Sequence, residues 1–196
     1  MFRDFKLTFP PACLEYVKKA YASHKVILEY GSGGSTLFGV EQGNTVVTTE
    51  TDAKWLVELM GAYQEQKLPG SLIPIYADIG PTKAWGRPVD DSEFRRWPDY
   101  PQRAWDYLQE HKLHPDLVLI DGRFRVASFL AACINVRKPA LVLFDDYVER
   151  DYYHVVEELY QPVEIIDERM AVFEIKPKRI NQRFIIKNID YFIDPR

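Results

Sequence analysis

Val26-Ile27-Leu28-Glu29-Tyr30-Gly31-Ser32-Gly33-Gly34-Ser35-Thr36 is the stretch whose reading decides the fold. A short apolar run ends in a carboxylate and passes into three glycines set among small hydroxylated residues. An apolar run of this length, bounded by glycine, predicts a buried strand. Residues 36–42 then predict a short helix. Glycine tolerates positive φ and has no Cβ, so a glycine turn lets backbone approach a ligand closely. The helix that follows points free N–H groups at the same place. A strand, a glycine turn and a helix therefore predict a site for a nucleotide-like ligand. Glu29 at the strand end would repel a phosphate, which favours a nucleoside carrying an ammonium or sulfonium group.

Outward from this stretch, strands alternate with helices. Further strands are predicted at 45–50, 71–77, 115–121 and 140–144, with helices at 52–66, 101–112, 123–136 and 150–160. Pro10-Pro11 with Cys13, Leu14, Val17 and Ala20 reads as an amphipathic helix opened by proline. Alternation of this kind predicts an α/β fold with a mostly parallel sheet covered on both faces. Residues 163–167 and 170–175 break the alternation. They read as two strands about a tight turn at Glu168-Arg169, adding an antiparallel last strand. Residues 78–100, with Trp85, Arg87, Arg95, Arg96 and Trp97, form a long connection of the kind that walls a site. Trp85 and Trp97 are candidates to stack on a ligand. The tail 177–196 suits two placements, against its own domain or against a partner chain in a homo-oligomer.

Bulk properties bound the function classes. The 196 residues suit one domain, with 46% hydrophobic and 28% charged residues. The net charge of −4 argues against non-specific nucleic-acid binding. No apolar run is long enough to span a bilayer. Residues 1–6 carry no secretory signal, so a cytoplasmic location is expected. Cys13 and Cys133 are too few for a disulfide framework and lack zinc-ligand spacing.

The carboxyl ends of the five strands are acidic: Glu29, Glu50, Asp78, Asp121 and Asp145-Asp146. Ligands of open α/β sheets bind outside these ends. Glu50, beside Thr51, is placed to accept the two hydroxyls of a ribose. Helix capping is the competing reading for single members of the row. A nicotinamide-dependent oxidoreductase is the alternative enzyme, but Thr36 stands where the dinucleotide fingerprint ends in Gly or Ala.

In these motifs the chain resembles the class I S-adenosylmethionine-dependent methyltransferases over about residues 10–176. The resemblance implies a Rossmann-like three-layer sandwich with a seven-stranded sheet, and S-adenosylmethionine as cofactor. It implies that Glu29 and the loop Gly31, Ser32, Gly33, Gly34, Ser35 hold the methionine part. Glu50 with Thr51 would hold the ribose, and Asp78 the adenine. Asp121 would face the methyl donor and the acceptor.

The ends of the fourth and fifth strands are similar to the catechol-type, cation-dependent O-methyltransferases. That similarity implies Asp121, Asp145 and Asp146 as ligands of a Mg²⁺ ion, whose role would be to acidify an acceptor hydroxyl. Asp146 stands where that group has Asn, and Phe124 where it has Lys. Arg123 and Arg125 flank Phe124, and Arg123 is the candidate clamp for an anionic acceptor. His154 is the candidate base if no metal takes part. A non-catalytic binding module is the third reading. The expected partner is a small or medium polar acceptor, without nucleic acid or membrane.

Overall fold

Every strand predicted above belongs to one sheet. The computed structural model describes residues 4–196, so residues 1–3 of the N-terminal stretch lie outside the described residues. In chain order the main elements are α1 (Pro11–Ser23), β1 (Val26–Tyr30), α2 (Gly34–Glu41), β2 (Thr45–Glu50), α3 (Ala53–Gln66) and β3 (Ser71–Tyr76). Two short strands follow, β4 (Thr82–Lys83) and β5 (Arg87–Pro88). After them come α4 (Asp99–Glu110), β6 (Leu117–Ile120), α5 (Arg125–Asn135), β7 (Ala140–Phe144), β8 (Glu164–Ile166), β9 (Met170–Ile175) and α6 (Gln182–Lys187).

The sheet order is β3-β2-β1-β6-β7-β9-β8. β1 pairs in parallel with both β2 and β6, and β7 pairs in parallel with β6. β9 runs antiparallel between β7 and β8. The chain builds outward from β1 to β3, then returns to lay β6 on the other side of β1. That reversal opens a crevice outside the carboxyl ends of β1 and β6. Tyr30 lies opposite both Thr49 and Ile120, so the three strand ends align at this crevice.

Side-chain alternation divides the core in two. Leu28, Tyr30, Val118, Ile120, Val142 and Phe144 point to the face covered by α4 and α5, where Trp105, Leu108 and Phe129 meet them. Ile27, Val46, Leu117, Leu119 and Leu143 point to the face that carries Val17, Tyr21, Val40 and Leu59 of α1, α2 and α3. α5 is buried from Arg125 to Cys133. Its Ala127, Ser128, Ala131 and Ala132 are small enough to let helix and sheet approach closely.

One expectation changes, and of the two placements open to the tail the structure shows one. The helix expected at 150–160 is a 3-10 segment, Asp151–Glu158. Aromatic and β-branched residues there disfavour an α-helix, and its buried residues, Tyr153 and Val156, have the three-residue spacing of a 3-10 turn. The tail docks on its own domain: Ile180, Phe184, Tyr191 and Phe192 pack on the α5 side of the core. The Arg196 carbonyl accepts a bond from Arg125 N at the start of α5. Among the described residues, no helix is long and apolar enough to cross a membrane.

Candidate functional site

The glycine turn is shaped as much by the chain itself as by any ligand. Gly31 has φ +94, and a Cβ there would lie 2.8 Å from the Cα and N of Gly122, on the loop after β6. A Cβ on Gly34 would lie 2.4 Å from the carbonyl of Lys6, because the N-terminal segment crosses the start of α2. Gly33 differs. A Cβ there would meet nothing closer than Trp55, at 4.0 Å. Gly33 is thus the glycine of this loop whose surroundings leave room for a ligand. Its N–H donates to Thr36 Oγ1 at 2.9 Å, and the Trp55 indole N–H donates to Ser32 O at 2.8 Å. Ser35 is buried beside them.

Glu29 does not stand on the rim. It alternates to the α1–α3 face and is fully buried beneath α2. Tyr21 donates to its Oε1 and Thr36 to its Oε2, each at 2.5 Å. Burial pushes its carboxyl up, and the two hydroxyl donors pull it back. In this structure Glu29 props the glycine turn from behind.

Glu50 does stand on the rim, at the end of β2. Its Oε2 accepts from Ser32 N at 3.3 Å and Ser32 Oγ at 3.2 Å; its Oε1 accepts from Thr51 N at 2.7 Å and Asp52 N at 3.1 Å. The carboxylate therefore joins the glycine loop to the β2–α3 turn. Thr51 Oγ1 donates to Gly86 O at 3.0 Å, which pins the β4–β5 ribbon over this end of the sheet. Asp78 follows β3, accepts from Gly80 N at 3.1 Å and pairs with Arg96 at 3.0 Å.

Asp121, Asp145 and Asp146 converge, with one carboxylate oxygen of each within 4.8 Å of the others. Arginines already occupy their spaces. Arg125, 3% exposed, lies 3.1 Å from Asp121 and 3.1 Å from Asp146. Arg169 grips Asp145 with two N–H groups, at 2.8 and 2.7 Å, and lies 2.6 Å from Asp146. Arg150 adds a contact to Asp146 at 2.7 Å. Three carboxylates thus face three guanidiniums, and both oxygens of Asp145 and of Asp146 are engaged. Against the cost of burial, the Arg169 fork and the charge of Arg125 hold the Asp145 carboxyl below its ordinary range. Burial, opposed by Arg125 and reinforced by Asp145 and Asp146, pushes the Asp121 carboxyl up. The carboxylates gather as a Mg²⁺ site requires, but a doubly charged ion would have to displace guanidiniums that already neutralise them. This donor set does not fit the ion. Nor do these acids cap the segment that follows.

The two arginines beside Phe124 have opposite surroundings. Arg125 spends its donors on Gly122 O, Asp145 O and Asp121. Arg123 has a buried Nε with no hydrogen-bond partner. Its backbone N–H donates to the Tyr100 hydroxyl at 3.3 Å. His154 is engaged by Tyr147, whose carbonyl lies 3.2 Å from Nε2 and whose ring packs on the imidazole. Trp97 is a buried anchor, donating to Ile79 O at 3.1 Å, whereas Trp85 is 87% exposed. The sequence reading missed Tyr100, Trp55 and Arg169. Arg169 was visible only as a turn residue, because its partner Asp145 is 24 positions away.

The comparisons with known proteins agree with this architecture. A methyltransferase-like protein from Silicibacter pomeroyi DSS-3 is 38% identical over 97% of this chain and 98% of its own, with a TM-score of 0.91. The O-methyltransferase from Bacillus cereus, in complex with SAH, is 15% identical over 89% of this chain and 84% of its own, with a TM-score of 0.59. TomG from Streptomyces achromogenes, an O-methyltransferase involved in tomaymycin synthesis and in complex with SAM, is 13% identical over 84% and 80%, with a TM-score of 0.54. At 15% and 13% identity the likeness is one of fold. No protein-family model and no curated protein matches the chain. Matched end to end by this relative at 38% identity, the chain belongs to the same methyltransferase-like family, on a Rossmann-like fold.

Proposed function

We propose that the protein is an S-adenosylmethionine-dependent methyltransferase acting on an oxygen of a small or medium polar acceptor. Glu50 carries this reading. It lies at the carboxyl end of β2, against Ser32 of the glycine loop, where a carboxylate accepts both hydroxyls of a ribose. Gly33 supports it, since the space a Cβ would fill is open to a ligand. Gly33 and its neighbours would hold the methionine part and Asp78 the adenine, once Arg96 yields. Glu29 contributes by fixing Thr36 and, through it, the Gly33 N–H. The nicotinamide alternative is not favoured, because the reversed β9, inserted between β7 and β8, matches the reversed last strand of the methyltransferases the sequence resembles.

The cofactor, when bound, supplies a methyl group activated on sulfonium. Displacement at that carbon needs donor and acceptor in line, so the protein's main contribution is alignment. Asp121 and Arg123 mark the acceptor end, on the loop after β6. No step is assigned to a metal, because the arginine-filled carboxylates do not fit one. Transfer of labelled methyl from S-adenosylmethionine to a panel of hydroxylated compounds tests the reading. Label on an acceptor oxygen supports it. Cofactor binding without transfer to any acceptor would leave a binding module instead of an enzyme.

A further inference from the structure

We propose that Arg123 binds an anionic group of the methyl acceptor, a carboxylate or a phosphate. That this anion belongs to the acceptor rests on the methyltransferase reading; the anion itself is called for by the unpaired Arg123 guanidinium. Arg123 lies two residues after Asp121, on the loop at the acceptor end. It is half-buried, its Nε is shielded from water, and no carboxylate pairs with it among the described residues. A cation in that position lacks the partner that buried charges ordinarily have.

The charges around it make its isolation more costly. Burial, then the charge of Arg125 and, less strongly, that of Arg87, pull the Arg123 guanidinium down from its ordinary value. Arg87 stands on β5, in the ribbon that Thr51 pins over the site. The Tyr100 hydroxyl accepts a bond from Arg123 N, and its own proton meets no acceptor among the described residues. Tyr100 is 1% exposed, so its hydroxyl anchors the Arg123 backbone and lies out of a ligand's reach. The Arg123 guanidinium thus stands here without an acceptor. The ligand that completes it is an acceptor-only group with negative charge, and the planar guanidinium fork matches a carboxylate or a phosphate. Arg125 cannot serve, since its donors are already spent.

Calorimetric titrations with and without saturating S-adenosylhomocysteine test this. The probes are inorganic phosphate, 4-hydroxybenzoate and the neutral 4-hydroxybenzamide. At least one anion is expected to bind while the amide does not. Arg123→Gln should weaken that binding about tenfold or more, and Arg123→Lys should fall between the two. S-adenosylhomocysteine affinity should change by less than about twofold in both variants, with native circular dichroism. Which anion binds identifies the group. Absence of anion binding, equal binding of the amide, or undiminished binding by folded Arg123→Gln would overturn the proposal. Failure to bind S-adenosylhomocysteine would instead remove the methyltransferase reading, and the titrations without it would still judge the anion site.

Discussion

Gly31 and Gly122 pack backbone to backbone across the crevice between β1 and β6: a Cβ on either would lie 2.8 Å from the other's main chain. A Cβ on Gly122 would also lie 2.1 Å from the Tyr100 hydroxyl. The glycines after the first and fourth strands of the main sheet are therefore requirements of the fold, and Gly33 is a requirement of the site.

This separation makes the first prediction. Gly122→Ala should destabilise the protein by about 1–3 kcal/mol, since backbone cannot yield as a flexible side chain does. Gly33→Ala should leave stability within about 0.5 kcal/mol, because its φ of 173 is extended and its surroundings are open. The same substitution should weaken cofactor binding about tenfold or more. Urea unfolding and calorimetry of the two variants check both halves.

A second prediction concerns the acids and arginines at the ends of β6 and β7. Arg169→Met should cost about 2–4 kcal/mol, because it leaves Asp145, 1% exposed, without its fork. Millimolar Mg²⁺ should not raise the melting temperature of the wild-type protein, and EDTA should not lower it. A reproducible rise with Mg²⁺ would show that the ion displaces the guanidiniums after all.

A third prediction is a pH dependence far from the site. His114 Nε2 accepts N–H bonds from Arg137 at 2.9 Å and Lys138 at 3.1 Å, a role open only to the neutral ring. Burial and the charge of Lys138 lower its pKa, against the opposing pull of Asp116. A lowered folded-state pKa means that the unfolded chain binds the proton more readily. The stability that neutral His114 provides is full above about pH 6.5 and falls as the pH drops below it. Urea midpoints measured across this range should show the fall, and His114→Gln should flatten it. Cofactor affinity should not change, because His114 lies at the opposite end of the sheet.

Much of this was legible in the sequence. β7 and β9 occupy the predicted positions, since apolar runs bounded by turns leave few alternatives. The reversed β9 was visible as two strands without a helix between them. The orientation of Glu29 was implicit in its alternation with Leu28 and Tyr30, but the row of acids drew it onto the rim with the others. Long-range partners were not legible. Nothing local to Gly34 reveals that Lys6 lies over it, and nothing near Asp145 reveals Arg169. Arg123 and Arg125 look equivalent in the sequence, yet the helix start turns one into the buried pairs and leaves the other unpaired.

The central claim is that Glu50 and the glycine loop form an S-adenosylmethionine site. The most direct measurement is isothermal titration with S-adenosylhomocysteine of the wild-type protein and of Glu50→Ala. Saturable one-to-one binding to the wild type is predicted, weakened about tenfold to a hundredfold in the folded variant by loss of charged hydrogen bonds to the ribose. No heat of binding at millimolar ligand, from wild-type protein with native circular dichroism, would contradict the account.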